Sequence, residues 1–362
     1  MTRRHSPYIP QLTIKGDHFQ IGFQLGQFFK AAIQESLLKN QELTHLLEKW
    51  SDSNEFDCLK ADAQQFSSGY YEEVRGISEG AGVPFDTIFM WNCRGDFTFP
   101  SERNETASVH GCTTIFLPGT NESPAYIAHN EDGDVEFLGK CAWVTVIPDN
   151  GNMFKSFIYP GLIAGNAISV NEKGLVQTIN NIRAYDGKPG IPRQFISRAI
   201  LDANSLVEAI ELLQRKDRAS GYHHGLAQVG ENYIFSVETS ANQCEVIQLR
   251  NNEFYGHANH LKSSRLRELP NRKTSSSLYR ERRMTSIFDS LASHSSDKIT
   301  TILFDQEKGS ENTLYRQGDS GGEYAQTLTT GIFEIQENLV NITLHFSPKH
   351  QFTIMDSLNV TL

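Results

Sequence analysis

A cysteine that follows a glycine, where a helical pattern gives way to a strand pattern, can react with its own backbone. Gly111-Cys112 sits at such a junction, at the start of Cys112-Thr113-Thr114-Ile115-Phe116-Leu117, whose β-branched and aromatic residues favour a strand. Gly111 has no Cβ to obstruct approach and tolerates a strained backbone, so the Cys112 thiol can attack the preceding carbonyl. Hydrolysis of the resulting thioester would leave Cys112 as a new N-terminus. Its α-amine, ordinarily titrating at about 7.7–8.0, would then serve as base for the thiol of the same residue. The competing reading is an ordinary buried thiol.

Other chemistry is weaker. There are five cysteines (Cys58, Cys93, Cys112, Cys141, Cys244) and no C-x-x-C pair, so neither a disulfide framework nor a four-thiolate zinc site is expected. His257 and His260 invite a metal reading with His223 and His224, but no cysteine or carboxylate stands at a matching spacing, and no metal is expected. Gly318-Asp319-Ser320-Gly321-Gly322 looks like a serine-protease nucleophile segment without that fold's other parts and reads as a polar turn. Ser295-Ser296-Asp297-Lys298 has a Ser-x-x-Lys spacing without companion motifs, and the sequons at Asn104, Asn121, Asn341 and Asn359 carry no weight without a secretion signal.

The elements around these residues divide at Gly111. Before it the pattern is mostly helical: one long amphipathic helix from Asp17, its cap, to Trp50, a second from about Ala61 to Gly80, and a turn at Gly82-Val83-Pro84 before Ile88-Phe89-Met90-Trp91. Gly22 and Gly26 lie on one helical face, which sacrifices propensity but permits close packing. After Gly111 come short strands at hairpin spacing: Ala125 to Asn130, Cys141 to Ile147, Asn152 to Ile158, Asn166 to Val170 and Leu175 to Asn180. Helices at Arg193 to Asp202 and after Ser205 precede strands at Leu226, Tyr233 and Glu245, and final strands span Thr329 to Ile335 and Leu339 to Phe346. Grouped strands and helices without βα alternation imply an antiparallel, layered α+β fold. Lys262 to Arg283, with eight basic residues against two acidic ones, reads as a solvated loop leading into a helix, with recruitment of an acidic substrate as the alternative.

The chain has 362 residues, 38% hydrophobic, enough for a large core in one or two domains. A net charge of −10 is the wrong sign for wrapping nucleic acid phosphates. No run approaches the roughly 18 apolar residues that span a bilayer, and Met1-Thr2-Arg3-Arg4 leads into polar residues, so no membrane partner and a cytoplasmic location are expected.

Taken in order, Gly111-Cys112-Thr113-Thr114, His129-Asn130-Glu131-Asp132, Asn171-Glu172-Lys173-Gly174-Leu175 and His257-Ala258-Asn259-His260 resemble the acyl-coenzyme A:isopenicillin N acyltransferase family, the C45 peptidases, which are N-terminal nucleophile hydrolases. The Gly22-Phe23-Gln24-Leu25-Gly26 helix, Tyr159-Pro160-Gly161-Leu162-Ile163 and Arg198-Ala199-Ile200-Leu201 fall in the family's order, so the likeness covers roughly Ile14 to His260. It implies a four-layer αββα sandwich, made as a precursor and cut before Cys112 into a helical part, residues 1–111, and a catalytic part, residues 112–362, that stay associated within one domain. Asp132 matches the family's acidic residue beside the nucleophile, against a plain turn role in Glu131-Asp132-Gly133. Asn259 matches the asparagine that donates to the oxyanion. Asn180 falls where relatives place a second polar group, with Asn181 almost as good a match. Tyr159, Gly161, Leu162 and Ile163 would wall an acyl pocket, or form a core strand and turn. The isopenicillin enzyme's Ser-Arg pair finds no match in Gly321 to Thr327, which argues against penicillin chemistry and for another amide or amine partner.

The expected activity is therefore cleavage or transfer of an acyl group at a non-peptide amide through a Cys112 thioester. No cofactor is expected; acyl-coenzyme A is a possible co-substrate, and hydrolysis is favoured because no coenzyme A motif is evident. The alternative is an uncut, non-catalytic binding protein on the same fold.

Overall fold

In the computed structural model the residues described are 9–102, 111–120, 123–250, 253–290, 296–306, 313–317, 325–347 and 353–360. The helix-rich first part contains strand β1 (Gln11–Gly16) and helices α1 (His18–Glu35), α2 (Gln41–Trp50), α3 (Asn54–Phe66), α4 (Ser68–Ala81) and α5 (Phe85–Cys93). Strands β2 (Thr113–Leu117), β3 (Ala125–Asp134), β4 (Ala142–Pro148), β5 (Phe154–Ile158), β6 (Ile168–Asn171) and β7 (Leu175–Asn181) follow. Helices α6 (Arg193–Ile200) and α7 (Leu206–Leu213) come next, then strands β8 (Tyr222–Gln228), β9 (Ile234–Thr239), β10 (Cys244–Leu249) and β11 (Tyr255–His257). The chain finishes with helices α8 (Ser275–Ser290) and α9 (Ser296–Leu303) and strands β12 (Ala325–Ile335), β13 (Leu339–His345) and β14 (Thr353–Asn359).

Local side chains decide where the helices break. The Asp17 carboxylate and the Gln20 side chain close a capping box at the start of α1. Asn40 accepts from Leu43 N at 3.2 Å and starts α2, so the single helix expected from Asp17 to Trp50 is two. Ser67, extended at φ −155°, caps α4 and divides the second expected helix in the same way. The glycines behave as expected: a Cβ on Gly22 would lie 2.0 Å from the Glu73 carbonyl, and one on Gly26 would lie 2.3 Å from that of Ile77, so α1 and α4 meet backbone to backbone. Gly22→Ala is expected to lower the thermal unfolding midpoint. Overpacking against rigid backbone costs about 1–3 kcal/mol or more, which exceeds the gain in helix propensity of about 1 kcal/mol. A raised midpoint would mean that the two helices do not touch.

Strands assemble into an eight-stranded sheet, β1-β4-β5-β6-β7-β8-β9-β10, and a six-stranded sheet, β11-β2-β3-β12-β13-β14. The sheets face each other: the Thr114 hydroxyl on β2 donates to Asn180 Oδ1 on β7 at 2.6 Å, and Gly225 on β8 makes room for the Phe116 ring. Met284, Ile287, Ile299 and Ile302 from α8 and α9 pack on Ile115 and Ala128 of the six-stranded sheet. The remaining helices join the main core with the eight-stranded sheet. This is a mixed α+β architecture of two sheets and flanking helices.

Several strands differ from expectation. β1, β11 and β14, all edge strands, were not expected; β1 runs parallel to β4 and alternates Leu12 and Ile14 with polar residues. β3 continues to Asp134, past the expected end at Asn130, because the polar run His129 to Asp134 is paired with β12 and buried up to Gly133. Residues before and after Gly111 share one core. Arg198 is fully buried and holds Glu73 of α4 at 2.8 Å and Asp202 at 3.0 Å, while Tyr70 also donates to Asp202 at 2.7 Å. Burial alone would raise the Glu73 carboxyl, but the Arg198 charge and the His18 hydrogen bond bring it below its ordinary range.

Candidate active site

Gly111 and Cys112 lie immediately before β2, on the inner side of the six-stranded sheet. β2 pairs with β3 as Thr113↔Asn130 and Thr114↔His129, so one step further Cys112 stands opposite Glu131. Residues directly opposite in an antiparallel pair point to the same face. The Cys112 thiol donates to Glu131 Oε2 at 3.5 Å. The same oxygen lies 2.9 Å from His129 Nε2, and Tyr159 donates to Glu131 Oε1 at 2.7 Å. Glu131 was quoted within the polar run but passed over for its neighbour; the strand alternation from Cys112 to Thr114 was the signal that could have singled it out.

Arg280 of α8 organises the other side of the cysteine. Its Nη1 donates to the Cys112 carbonyl at 2.5 Å and to Thr113 Oγ1 at 2.8 Å, and its Nη2 donates to Asn259 Oδ1 at 2.5 Å. Asn259 Nδ2 donates to the Asn181 carbonyl at 3.1 Å, and these two contacts fix which way the amide faces. A Cβ on Gly111 would stand 2.3 Å from Arg280 Nη2 and 2.8 Å from Asn259 Oδ1, so only glycine fits against this pair. The basic stretch Lys262 to Arg283 is thus not merely a solvated loop and helix: Ser276, Ser277 and Arg280 are buried, and Ser277 Oγ holds Asn259 N at 2.8 Å.

Asp132 faces away from the thiol. Thr327 Oγ1 donates to its Oδ1 at 2.6 Å and Arg316 Nε lies 3.4 Å from its Oδ2, while an Arg316 Nη2 hydrogen bond to Ser276 Oγ links this pair to α8. Burial pushes the Asp132 carboxyl up, with the charges of Arg316 and Arg280 opposing the rise. Its backbone N–H points at the Cys112 sulfur. Burial pushes the thiol well up, the negative charges of Glu131 and Asp132 add to this, and Cys112 is a neutral thiol in the uncut chain.

A cleft partly open to solvent is lined by Cys112, Glu131, Tyr159 and Asn181 together with Trp91, Arg94 and Arg193. Of the expected pocket wall, Tyr159 borders this space. Gly161 packs on Leu37 and Trp91, and Leu162 and Ile163 are core residues. Asn181 rather than Asn180 borders the cavity; Asn180 instead joins the sheets through Thr114, His223 and the His257 carbonyl.

Residues 119–348 match the family described as acyl-coenzyme A:6-aminopenicillanic acid acyl-transferase. The chain belongs to that family. Cys112 lies just upstream of the matched stretch, whereas Asp132, Tyr159, Asn180 and Asn259 lie within it. The chain is 23% identical over 370 aligned positions, 92% of each protein, to the β-alanyl-dopamine/carcinine hydrolase of Drosophila melanogaster. It is 24% identical over 205 positions, 55% of each protein, to the acyl-coenzyme A:6-aminopenicillanic-acid-acyltransferase 40 kDa form of Emericella nidulans. Both relatives of this acyl-transferase family are enzymes.

In this acyl-transferase family member His223, His257 and His260 are hydrogen-bonded, whereas buried His224 leaves its Nδ1 without a partner. His223 bonds Asn180 and Ser236, each at 2.9 Å, and stacks on His257 with ring centres 3.5 Å apart. His257 bonds Ala258 O and Glu238, and His260 bonds Ser277 and Glu281. Burial, then the neighbouring His257, pushes His223 well down and keeps it neutral. Cys112, His129 and Glu131 offer metal-ligating atoms within 4.8 Å of one another, but the thiol and the imidazole are both already hydrogen-bonded to Glu131. Gly318 to Gly322, expected to form a turn, lies outside the described residues, as does Gly321 to Tyr324 of the stretch compared with the Ser-Arg pair. No helix among the described residues is long and apolar enough to cross a membrane.

Asp96 lies beneath Arg193 and accepts from Arg193 N at 3.1 Å and Ser220 Oγ at 2.5 Å. Burial pushes its carboxyl up to about 6, the Arg193 charge and the Ser220 hydrogen bond restraining the rise. The folded state thus holds this proton more tightly than the unfolded chain, where aspartate titrates near 3.8. Its contribution to stability is therefore lost as pH rises from about 4 through 6. Asp96→Asn removes that loss, so its stability relative to the wild type should increase by about 3 kcal/mol between pH 4 and pH 7 in urea unfolding. A difference that does not change with pH would place the titration elsewhere.

Proposed function

We propose that this chain is a self-processing cysteine amide hydrolase with the αββα fold of N-terminal nucleophile enzymes. The observation that carries the reading is the place of Gly111-Cys112: a strand-opening thiol at a cavity, behind a glycine pressed against Asn259 and Arg280. Cleavage of the Gly111–Cys112 bond gives fragments of 111 and 251 residues. They stay together because β1 belongs to the eight-stranded sheet and Glu73 is buried on Arg198. Cys112 then attacks the substrate acyl carbon, its own α-amine taking the thiol proton. The second Nδ2 hydrogen of Asn259 and nearby backbone N–H groups stabilise the oxyanion. A thioester forms and the amine leaves. Water completes the cycle, or an acceptor such as coenzyme A or an amine takes the acyl group.

Hydrolysis of a small N-acyl amine is the favoured form, because likeness to the β-alanyl-dopamine/carcinine hydrolase extends over 92% of both chains, whereas likeness to the acyltransferase covers 55%. The test is mass spectrometry of the purified protein, followed by incubation with β-alanyl amines, N-acyl amino acids and acyl thioesters, measuring released amine and thiol. The expected result is a second chain beginning Cys112-Thr113-Thr114 and amine release. An intact chain with full turnover would overturn the reading.

A further inference from the structure

Before the cut, the nitrogen of Cys112 is an amide and has no basicity, so the α-amine that serves the mature site cannot start its own creation. The chain needs another base for that single event. We propose that the Glu131 carboxylate is the general base for cleavage of the Gly111–Cys112 bond, taking the thiol proton and handing it to the departing amide nitrogen. This rests on the self-processing reading above.

The geometry is direct. Glu131 Oε2 is the acceptor of the Cys112 S–H at 3.5 Å, on the same face of the β2–β3 pair, and both residues are buried. Two groups hold the carboxylate: Tyr159 donates to Oε1 at 2.7 Å, and His129 Nε2 lies 2.9 Å from Oε2. The proton count of the network can be deduced. Asn180 Nδ2 faces the His257 carbonyl, so its Oδ1 faces Thr114 and takes the one hydroxyl proton Thr114 has. His129 Nδ1, 2.7 Å from Thr114 Oγ1, must then be the donor of that contact. With Nδ1 protonated, one further proton is shared between His129 Nε2 and Glu131 Oε2. The proposed step starts from the form in which that proton rests on His129 Nε2, leaving Glu131 a carboxylate able to take the thiol proton.

The step balances as follows. The carboxylate of Glu131 accepts the thiol proton as sulfur bonds to the Gly111 carbonyl carbon. The oxyanion collapses, the carbon–nitrogen bond breaks, and Glu131 returns the proton to the nitrogen, which becomes the α-amine. Water then adds to the Gly111 carbon and the carbon–sulfur bond breaks, giving the Gly111 carboxylate and the Cys112 thiol.

Glu131→Gln is the informative change, because glutamine can still accept from Tyr159 and donate to His129 Nε2 but cannot take a proton. Conversion of the 362-residue chain to fragments of 111 and 251 residues is followed by mass spectrometry over time. Glu131→Gln should slow conversion by about 10²-fold or more. Glu131→Ala should be slow as well, and added formate should accelerate it, a rescue that a merely structural role would not give. Wild-type conversion rates in Glu131→Gln would overturn the proposal while leaving self-processing intact. A wild-type chain that never converts would instead remove the self-processing reading, and this inference with it.

Discussion

Cys112→Ala is expected to accumulate as one 362-residue chain and to lose turnover by about 10⁴-fold or more, as covalent catalysts do when the nucleophile is removed. The fold should survive. The side chain is small, its hydrogen bond to Glu131 is long at 3.5 Å, and the backbone around it is held independently by Arg280 on the Cys112 carbonyl and by the β2–β3 pairing. Removing the sulfur also removes the thiol that Glu131 faces, so stability should change little while both processing and activity vanish together. Gel analysis and a mass spectrum give the first readout, amine release the second, and a melting curve guards against misfolding. Two fragments from this variant, or full turnover by it, would show that another residue attacks. If Cys112 were only a packing thiol, the substitution would leave activity near that of the wild type.

Much of this arrangement was legible in the sequence, and the parts that were not share a cause. Cys112 was singled out because a thiol after glycine has a local chemical meaning, and Asn259 because its His-Ala-Asn-His segment matches the resembled family; the structure brings Asn259 against Gly111. Gly22 and Gly26 announced a close helix contact, since glycine at that spacing is costly unless another backbone comes near. The helix breaks at Asn40 and Ser67 were missed because apolar periodicity continues across them while a single capping hydrogen bond decides the end. Glu131, Arg280 and Arg316 were missed for a deeper reason. Their roles come from strand register and from helix α8 returning over β2, far apart in sequence, and buried charge inside a polar run reads locally as solvated turn or loop. Asn180 and Asn181 show the limit of one-residue resolution, because neighbouring strand residues face opposite ways and only the assembled sheet tells which borders the cavity.

Asn259→Ala should give a folded and processed enzyme whose kcat falls about 10²- to 10³-fold with KM changed far less, the signature of a donor that acts on the transition state. The reasoning starts from the hydrogen bonds of the amide. Arg280 holds Oδ1 at 2.5 Å and the Asn181 carbonyl holds one Nδ2 hydrogen at 3.1 Å, so the group is locked before any substrate arrives and has one hydrogen left to give. A donor fixed in this way pays no reorganisation as charge develops on the acyl oxygen. The same contacts make Asn259→Asp a sharper test than alanine. Aspartate keeps the oxygen that Arg280 holds but replaces the donor with a second acceptor facing both the Asn181 carbonyl and the developing oxyanion. It should therefore be at least as impaired as alanine although it is nearly the same size. Were Asn259 only a brace for Arg280, the aspartate would bind that guanidinium more tightly and retain activity, so the order of the two variants separates an oxyanion donor from a structural strut.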